Sequence, residues 1–225
     1  MNVIERLRLE PLRKELMNHS LLLEMRCEGL KLPQLITVLA QWYHPLHYFP
    51  VFLARLIAIL PQISMQTSVS KILWQELGEG HTDQAHEMIY QRTIQSLLIK
   101  PEQFVNCPPL PETQALLSGY QQATEQNYLA GLGFAFGTEA ADLAMVSSIG
   151  KAAARFSSEP SLEWVDIHIK QEPMHTDCMD DALQAGLSQK EEEEVIVHAK
   201  RMWKLWINFF SAIHEIIMPS HVVTE

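Results

Sequence analysis

The stretch KLPQLITVLAQWYHPLHYFPVFLARLIAIL, residues 31–60, is apolar on nearly every side of a helix. A helix of that kind belongs in an interior, because it has no polar face to give to water. Pro33 suits its first turn, where a missing N–H costs nothing. Pro45 and Pro50 lie further in and each removes a backbone donor, so the sequence predicts kinks or a break there. The most apolar part, Phe49 to Leu60, contains Pro50 and Arg55 and is too short to cross a bilayer.

The rest of the chain supplies helical partners for it. Glycines number only 9 in 225 residues, β-branched alternations are few, and stripes with a period of 3.6 are long. Helices are expected over Asn2–Met17, from Ser68 through Glu76 with Gly78 and Gly80 loosening the end, and over Thr82–Leu98. More are expected from Pro111 to about Gly131, from Gly133 to Phe156, from Leu162 onward and over Ser188–Ile217. Ser188 with Glu191 three residues on forms a capping box. The run KEEEE at Lys190–Glu194 reads as a solvated helix start, its acids complementing the positive end of the macrodipole. Ile99–Thr113, with four prolines, is the clearest loop, and Ser157–Ser161 reads as a turn. No repeat or low-complexity tract interrupts the pattern. The expectation is an all-α bundle of about seven helices, with residues 1–225 forming a single domain.

Composition narrows the function. Hydrophobic residues make up 47% and charged residues 20%, ordinary values for a globular chain. The net charge of -10 disfavours nucleic acid, since phosphate binding needs clustered Lys and Arg, and equally disfavours an anionic membrane surface. Cys27, Cys107 and Cys178 are few, odd in number and without a CxxC pair, which points to a reduced, cytoplasmic compartment. The N-terminal MNVIERLRLEPLRKEL mixes charges of both signs and offers no apolar core for an export signal.

The residues able to carry chemistry gather late in the chain. In EWVDIHIKQEPMHTDCMDDAL, His168, Glu172 and His175 fall on one stripe of a helix. Two imidazoles and a carboxylate suit iron, manganese or zinc, while the plainer reading is a polar surface stripe. Trp164, Ile167 and Met174 mark the surroundings as partly buried, where a carboxylate needs something positive beside it. Pro173 should bend or unwind the helix next to Glu172. Upstream, LWQELGEGHTDQAHEMIY offers His86 with Glu76 or Glu79, and His81 as a more exposed neighbour. Glu79 shares a face with His86 only if the helix is unbroken, whereas Gly78 and Gly80 allow Glu76 instead. Glu139 sits in the otherwise apolar AGLGFAFGTEAADLAMVSSIG, either seeking a partner inside or turning outward beside Asp142. No GxSxG, phosphate-cradling glycine loop or HExxH occurs, and Cys178 has no orienting partner.

Taken in order, these pieces resemble the heme-oxygenase-like diiron oxidases, relatives of the TenA and PqqC folds and of the chlamydial protein associating with death domains. The resemblance runs over most of the chain. It begins with NHSLLLEMRCEGLKLPQLITVLAQWYHPLHYFPVFLARL, similar to the family's opening helix pair, and passes through ELGEGHTDQAHEMI and Glu139 to the His-x3-acid-x2-His pattern. It implies that Glu76, His86, Glu139, His168, Glu172 and His175 surround two ferrous ions, with Glu139 bridging. One ion, or another divalent metal, is the lesser form of the same expectation. It further implies a non-heme iron oxidase or oxygenase that uses dioxygen on a small organic substrate, in a chain that forms a homodimer. Trp42, Tyr43, Tyr48 and Phe49 are candidates to line its pocket. Two departures stand out: the family usually has aspartate at Glu172, and many members supply a glutamate from the helix where this chain offers Gln41, His44 and His47. The alternatives are a metal-independent TenA- or PqqC-like enzyme of cofactor metabolism, in which the histidines act as acid–base groups, and a non-enzymatic helical domain that binds a protein partner.

Overall fold

A computed structural model describes residues 1–27, 29–159 and 162–218. Pro160 and Ser161, the end of the expected turn, lie outside the described residues. Within them the chain is all-α, with no strand and with ten α-helices. In chain order these are α1 (Val3–Arg8), α2 (Pro11–Met17), α3 (Ser20–Cys27), α4 (Leu32–Ile59), α5 (Ile63–Glu76), α6 (His86–Ser96), α7 (Pro111–Gln126), α8 (Tyr128–Ala153), α9 (Glu163–Leu183) and α10 (Gln189–Ile217).

The difference from about seven comes mainly at the N-terminus. The single helix expected over Asn2–Met17 divides at Leu9–Glu10, where Pro11 opens α2. The opening pair implied by the family resemblance corresponds to α3 and α4. Pro45 and Pro50 do not break α4, which runs on through both. Packing against α5, α7 and α8 outweighs the two lost backbone bonds. Likewise α9 continues through Pro173.

The boundary placed between Gly131 and Gly133 is corrected. α7 stops at Gln126, and Asn127 caps α8 by accepting a hydrogen bond from the Ala130 N–H at 2.8 Å. The glycines lie inside α8 for a packing reason. A Cβ on Gly133 would sit 2.5 Å from the Val195 carbonyl oxygen, so its absence lets α8 press directly on α10.

α8 is the central element, in contact with α10, α9, α3, α7 and α4. Among the described residues it is the one helix long and apolar enough to cross a membrane, yet 78% of its most apolar window is buried inside the protein. Its apolarity is therefore used in packing. The expected cap at Ser188 holds α10, and the following acids do more than meet water: Tyr128 donates to Glu191 at 2.6 Å and Arg6 pairs with Glu193 at 2.7 Å. The proline-rich loop is fastened by Gln41, whose amide reaches the Pro108 carbonyl while its oxygen accepts from the Leu110 N–H and the Thr113 hydroxyl. α9 packs on α5, α6 and α8 together, and the candidate residues lie where these four helices meet.

Candidate metal centre

Glu76 ends α5 and His86 begins α6. Between them Gly78, Glu79 and Gly80 all have positive φ, at 80°, 54° and 90°, which reverses the chain within a few residues. The reversal turns Glu76 inward and leaves Glu79 exposed, holding only Gln75 at 3.1 Å. Glu76 is the acidic residue that meets His86; a continuous helix, the condition for Glu79 to share its face, does not form. His81 is exposed, as its position after Gly80 suggests.

From α8, Glu139 points inward rather than turning to solvent, and so does Asp142. From α9, His168, Glu172 and His175 are all buried, which removes the surface-stripe reading. His175 Nδ1 lies 3.3 Å from Glu139, 3.4 Å from Glu172 and 4.0 Å from Glu76. His86 Nδ1 lies 3.1 Å from Glu76. His168 Nε2 lies 3.9 Å from Asp142, and the His86 and His168 rings are 4.6 Å apart. All six candidates thus come together.

Asp142 is the member that sequence reasoning missed. Its step of three from Glu139 on an apolar helix was the available signal, because that spacing puts both carboxylates on one face. Gln75 and Gln171, each one residue before a buried glutamate, were missed as well. The three positions on α4 stay outside the cluster. Gln41 fastens the loop, and His47 pairs with Glu87 at 2.8 Å on the surface; neither it nor His44 contacts the buried carboxylates.

Each histidine is tied by one nitrogen to an oxygen that only accepts. His168 Nδ1 donates to the Trp164 carbonyl at 2.6 Å, His86 Nε2 to Gln171 Oε1 at 2.7 Å, and His175 Nε2 to Gln75 Oε1 at 3.1 Å. The opposite nitrogen in each case faces a carboxylate. His86 Nδ1, His175 Nδ1, Glu139 Oε1, Asp142 Oδ2 and Glu172 Oε2 are buried without a hydrogen-bond partner. Buried polar atoms left in this way are costly, so the arrangement asks for a cation.

The electrostatics express the same crowding. Burial opposes charge on His175, but Glu139, Glu172 and Glu76 overcome it and push the imidazole up to about 12. Burial would raise Glu76, yet His86, His175 and His168 hold it down at about 2. Burial lifts Glu139 to about 7, with Glu172 and Glu76 adding to it and His175 opposing. Burial and the neighbouring His86 lower His168 to about 4, leaving it neutral. Protons are the stand-in cations here, but His175 and His86 give them no hydrogen-bond geometry toward the carboxylates. A divalent ion suits the donor set better: imidazole nitrogen and carboxylate oxygen are ligands for iron, manganese and zinc. Among the described residues, two groups of three have ligand atoms within 4.8 Å of one another: Glu139, Glu172 and His175, and Asp142, His168 and Glu172.

Beside the cluster is a cavity of about 30 Å³, lined by Trp42, Leu46, Phe49 and Trp206 as well as by the carboxylates. Trp42 and Phe49 are thus lining residues. The Tyr43 hydroxyl instead donates to Glu87 at 2.7 Å, and Tyr48 packs near Tyr120.

Fold and site define a class: an all-α bundle with a histidine–carboxylate cluster buried at the junction of four helices. The chain belongs to the family described as iron-containing redox enzyme, whose model matches residues 36–207, more than half of its length. A CADD-like protein of unknown function from Nostoc punctiforme has a similar structure, with a TM-score of 0.80 at 12% identity over 96% of this chain and 95% of that one. A TenA homolog from Pseudomonas syringae pv. tomato gives 0.76 at 16% identity over 94% and 92%. A domain of unknown function with a heme oxygenase-like fold from Shewanella denitrificans gives 0.74 at 15% over 91% and 88%. At such identities these likenesses establish the heme-oxygenase-like fold and nothing further. No curated protein matches the chain in sequence.

Proposed function

We propose that the protein is a non-heme iron oxidase or oxygenase that holds two ferrous ions through Glu76, His86, Glu139, His168, Glu172 and His175 and uses dioxygen to oxidise a small organic substrate. The observation that supports this most is the orientation of the three imidazoles. Each donates through one nitrogen to a carbonyl-type oxygen and turns the other toward a carboxylate. That is how metal-ligating histidines are held, the outer partner setting the tautomer and leaving a lone pair for the ion. Iron held by these residues would supply the redox chemistry toward dioxygen.

The chain's own residues do the rest. Gln75, Gln171 and the Trp164 carbonyl orient the rings before any ion arrives. Trp42, Leu46, Phe49 and Trp206 exclude water from the side that faces the carboxylates. A cavity of about 30 Å³ has room for a molecule the size of dioxygen. An organic substrate requires that wall to open.

The metal-independent alternative draws on one observation. His175, held up at about 12 among three glutamates, can itself serve as the buried cation and as a proton donor. Anaerobic purification with ferrous iron, followed by metal analysis, decides between them. About two iron per chain, lost in His168→Ala or His175→Ala, with dioxygen uptake on exposure to air, supports the oxidase. A chain that takes up no metal under those conditions belongs to the alternative.

A further inference from the structure

We propose that Asp142 is a seventh protein ligand of this centre and that Glu172, rather than Glu139, is the carboxylate shared between its two metal positions. This rests on the reading of a two-ion centre above and assigns the ligands within it.

The six residues named from the sequence contain three carboxylates, one negative charge short of balancing two divalent ions. Asp142 supplies the fourth. Among the described residues, the only ion-pair partners of Glu76, Glu139, Asp142 and Glu172 are the three histidines; no lysine or arginine reaches them. Three buried carboxylates and the half-buried Asp142, with three imidazoles and no lysine or arginine beside them, are poorly compensated, and two divalent ions would neutralise them.

His168 Nδ1 donates to the Trp164 carbonyl, so Nε2 presents a lone pair, and what it faces at 3.9 Å is Asp142 Oδ2. Two acceptors turned toward each other repel unless a cation lies between them. Metal–ligand distances of about 2.0–2.1 Å on each side span up to roughly 4 Å, so one ion can touch both atoms. Asp142 Oδ2 is buried and has no hydrogen-bond partner.

Glu139 and Asp142 are one turn apart on α8, and His168, Glu172 and His175 follow in two steps along α9. Glu139 lies opposite His175 and Asp142 opposite His168, leaving Glu172 between the two pairs. Glu172 alone belongs to both three-residue groups.

Anaerobic titration of the full chain with ferrous iron alone, read by calorimetry and by metal analysis after desalting, tests both statements. The wild type should take two ions, Asp142→Asn one, Glu139→Gln one and Glu172→Gln none that survives desalting. Asp142→Ser replaces the Asn variant if circular dichroism shows that the latter does not fold. An Asp142 variant that binds two ions with wild-type affinities overturns the seventh ligand while leaving the two-ion reading intact. A Glu139→Gln that loses both ions while Glu172→Gln keeps one overturns the sharing. A wild type that binds no iron overturns the reading beneath both.

Discussion

Gln75 Oε1 accepts a hydrogen bond from His175 Nε2 at 3.1 Å, so two consecutive residues of α5 address opposite ends of one imidazole. Gln75 fixes the tautomer, and Glu76 faces the nitrogen left free. α9 answers with Gln171, which holds His86 from the position just before Glu172, while the ring's other nitrogen faces Glu76. Each helix therefore contributes a carboxylate to the centre and an amide that orients a histidine on another helix.

Removing one of those amides should weaken metal binding without removing a ligand. Gln75→Leu leaves the His175 ring free to turn, and loss of such an outer partner typically costs 10- to 100-fold in affinity. Ferrous titration should show that drop with the number of ions per chain unchanged. An unaltered affinity would mean that packing alone orients the ring.

Iron should stabilise the fold. Ligands from α5, α6, α8 and α9 converge only in the native state, so an ion present at about 100 times its dissociation constant adds about 2.7 kcal/mol. For a chain of this size that corresponds to a rise in melting temperature of roughly 5–10 °C. Thermal scans with ferrous iron and then with a chelator in excess should show the rise and its reversal; coincident curves would count against the centre.

Gly133→Ala should destabilise the bundle even though alanine is the better helix former. The new Cβ would meet the Val195 carbonyl oxygen at 2.5 Å and the Ala199 nitrogen at 3.0 Å, backbone atoms that move only if α10 moves. Overpacking of this kind costs about 1–3 kcal/mol, more than the gain of roughly 1 kcal/mol in helix propensity. The urea midpoint should fall; a midpoint at or above that of the wild type would show that the two helices can part freely.

Acid should weaken the start of α3 through His19. Its Nδ1 accepts from the Leu21 N–H at 3.2 Å, and burial, with His214 nearby, pushes the imidazole down to about 4. A pKa lower in the folded state than its ordinary 6.5 means that the unfolded chain takes the proton more readily. The contribution is thus complete above about pH 6.5 and is lost as pH falls toward 4. Partial exposure reduces it to about 1 kcal/mol. Urea midpoints at pH 7.5 and 5 should differ less in His19→Asn than in the wild type; equal differences would clear His19 of any role.

Much of this was legible in the order of residues. The stripe of His168, Glu172 and His175 and the buried character of residues 31–60 follow from helical periodicity, which survives whatever the packing does. Asp142 escaped because a second acid three residues from Glu139 reads equally well as a solvated pair. Only the neighbour across the α8–α9 contact decides which way it points. Gln75 and Gln171 escaped because a glutamine has no charge to be explained, and its purpose exists only once another helix lies opposite. Gly131 and Gly133 misled for the converse reason: they resemble a helix end, while Asn127 held the actual signal for one. Glu79 and Glu76 were separable only through backbone handedness, which the two flanking glycines permit but do not dictate.

The convergence of α5, α6, α8 and α9 has a consequence for how the molecule comes apart. An ion held by the proposed ligands Glu76 and His175 would join points almost half the chain from each other, and so would act as a cross-link that a chelator can cut. Like a disulfide across a long segment, it would restrict the unfolded ensemble as much as it braces the native one. Losing the metal would then reach beyond one pocket, because the unfolded chain between residues 76 and 175 would no longer be tethered.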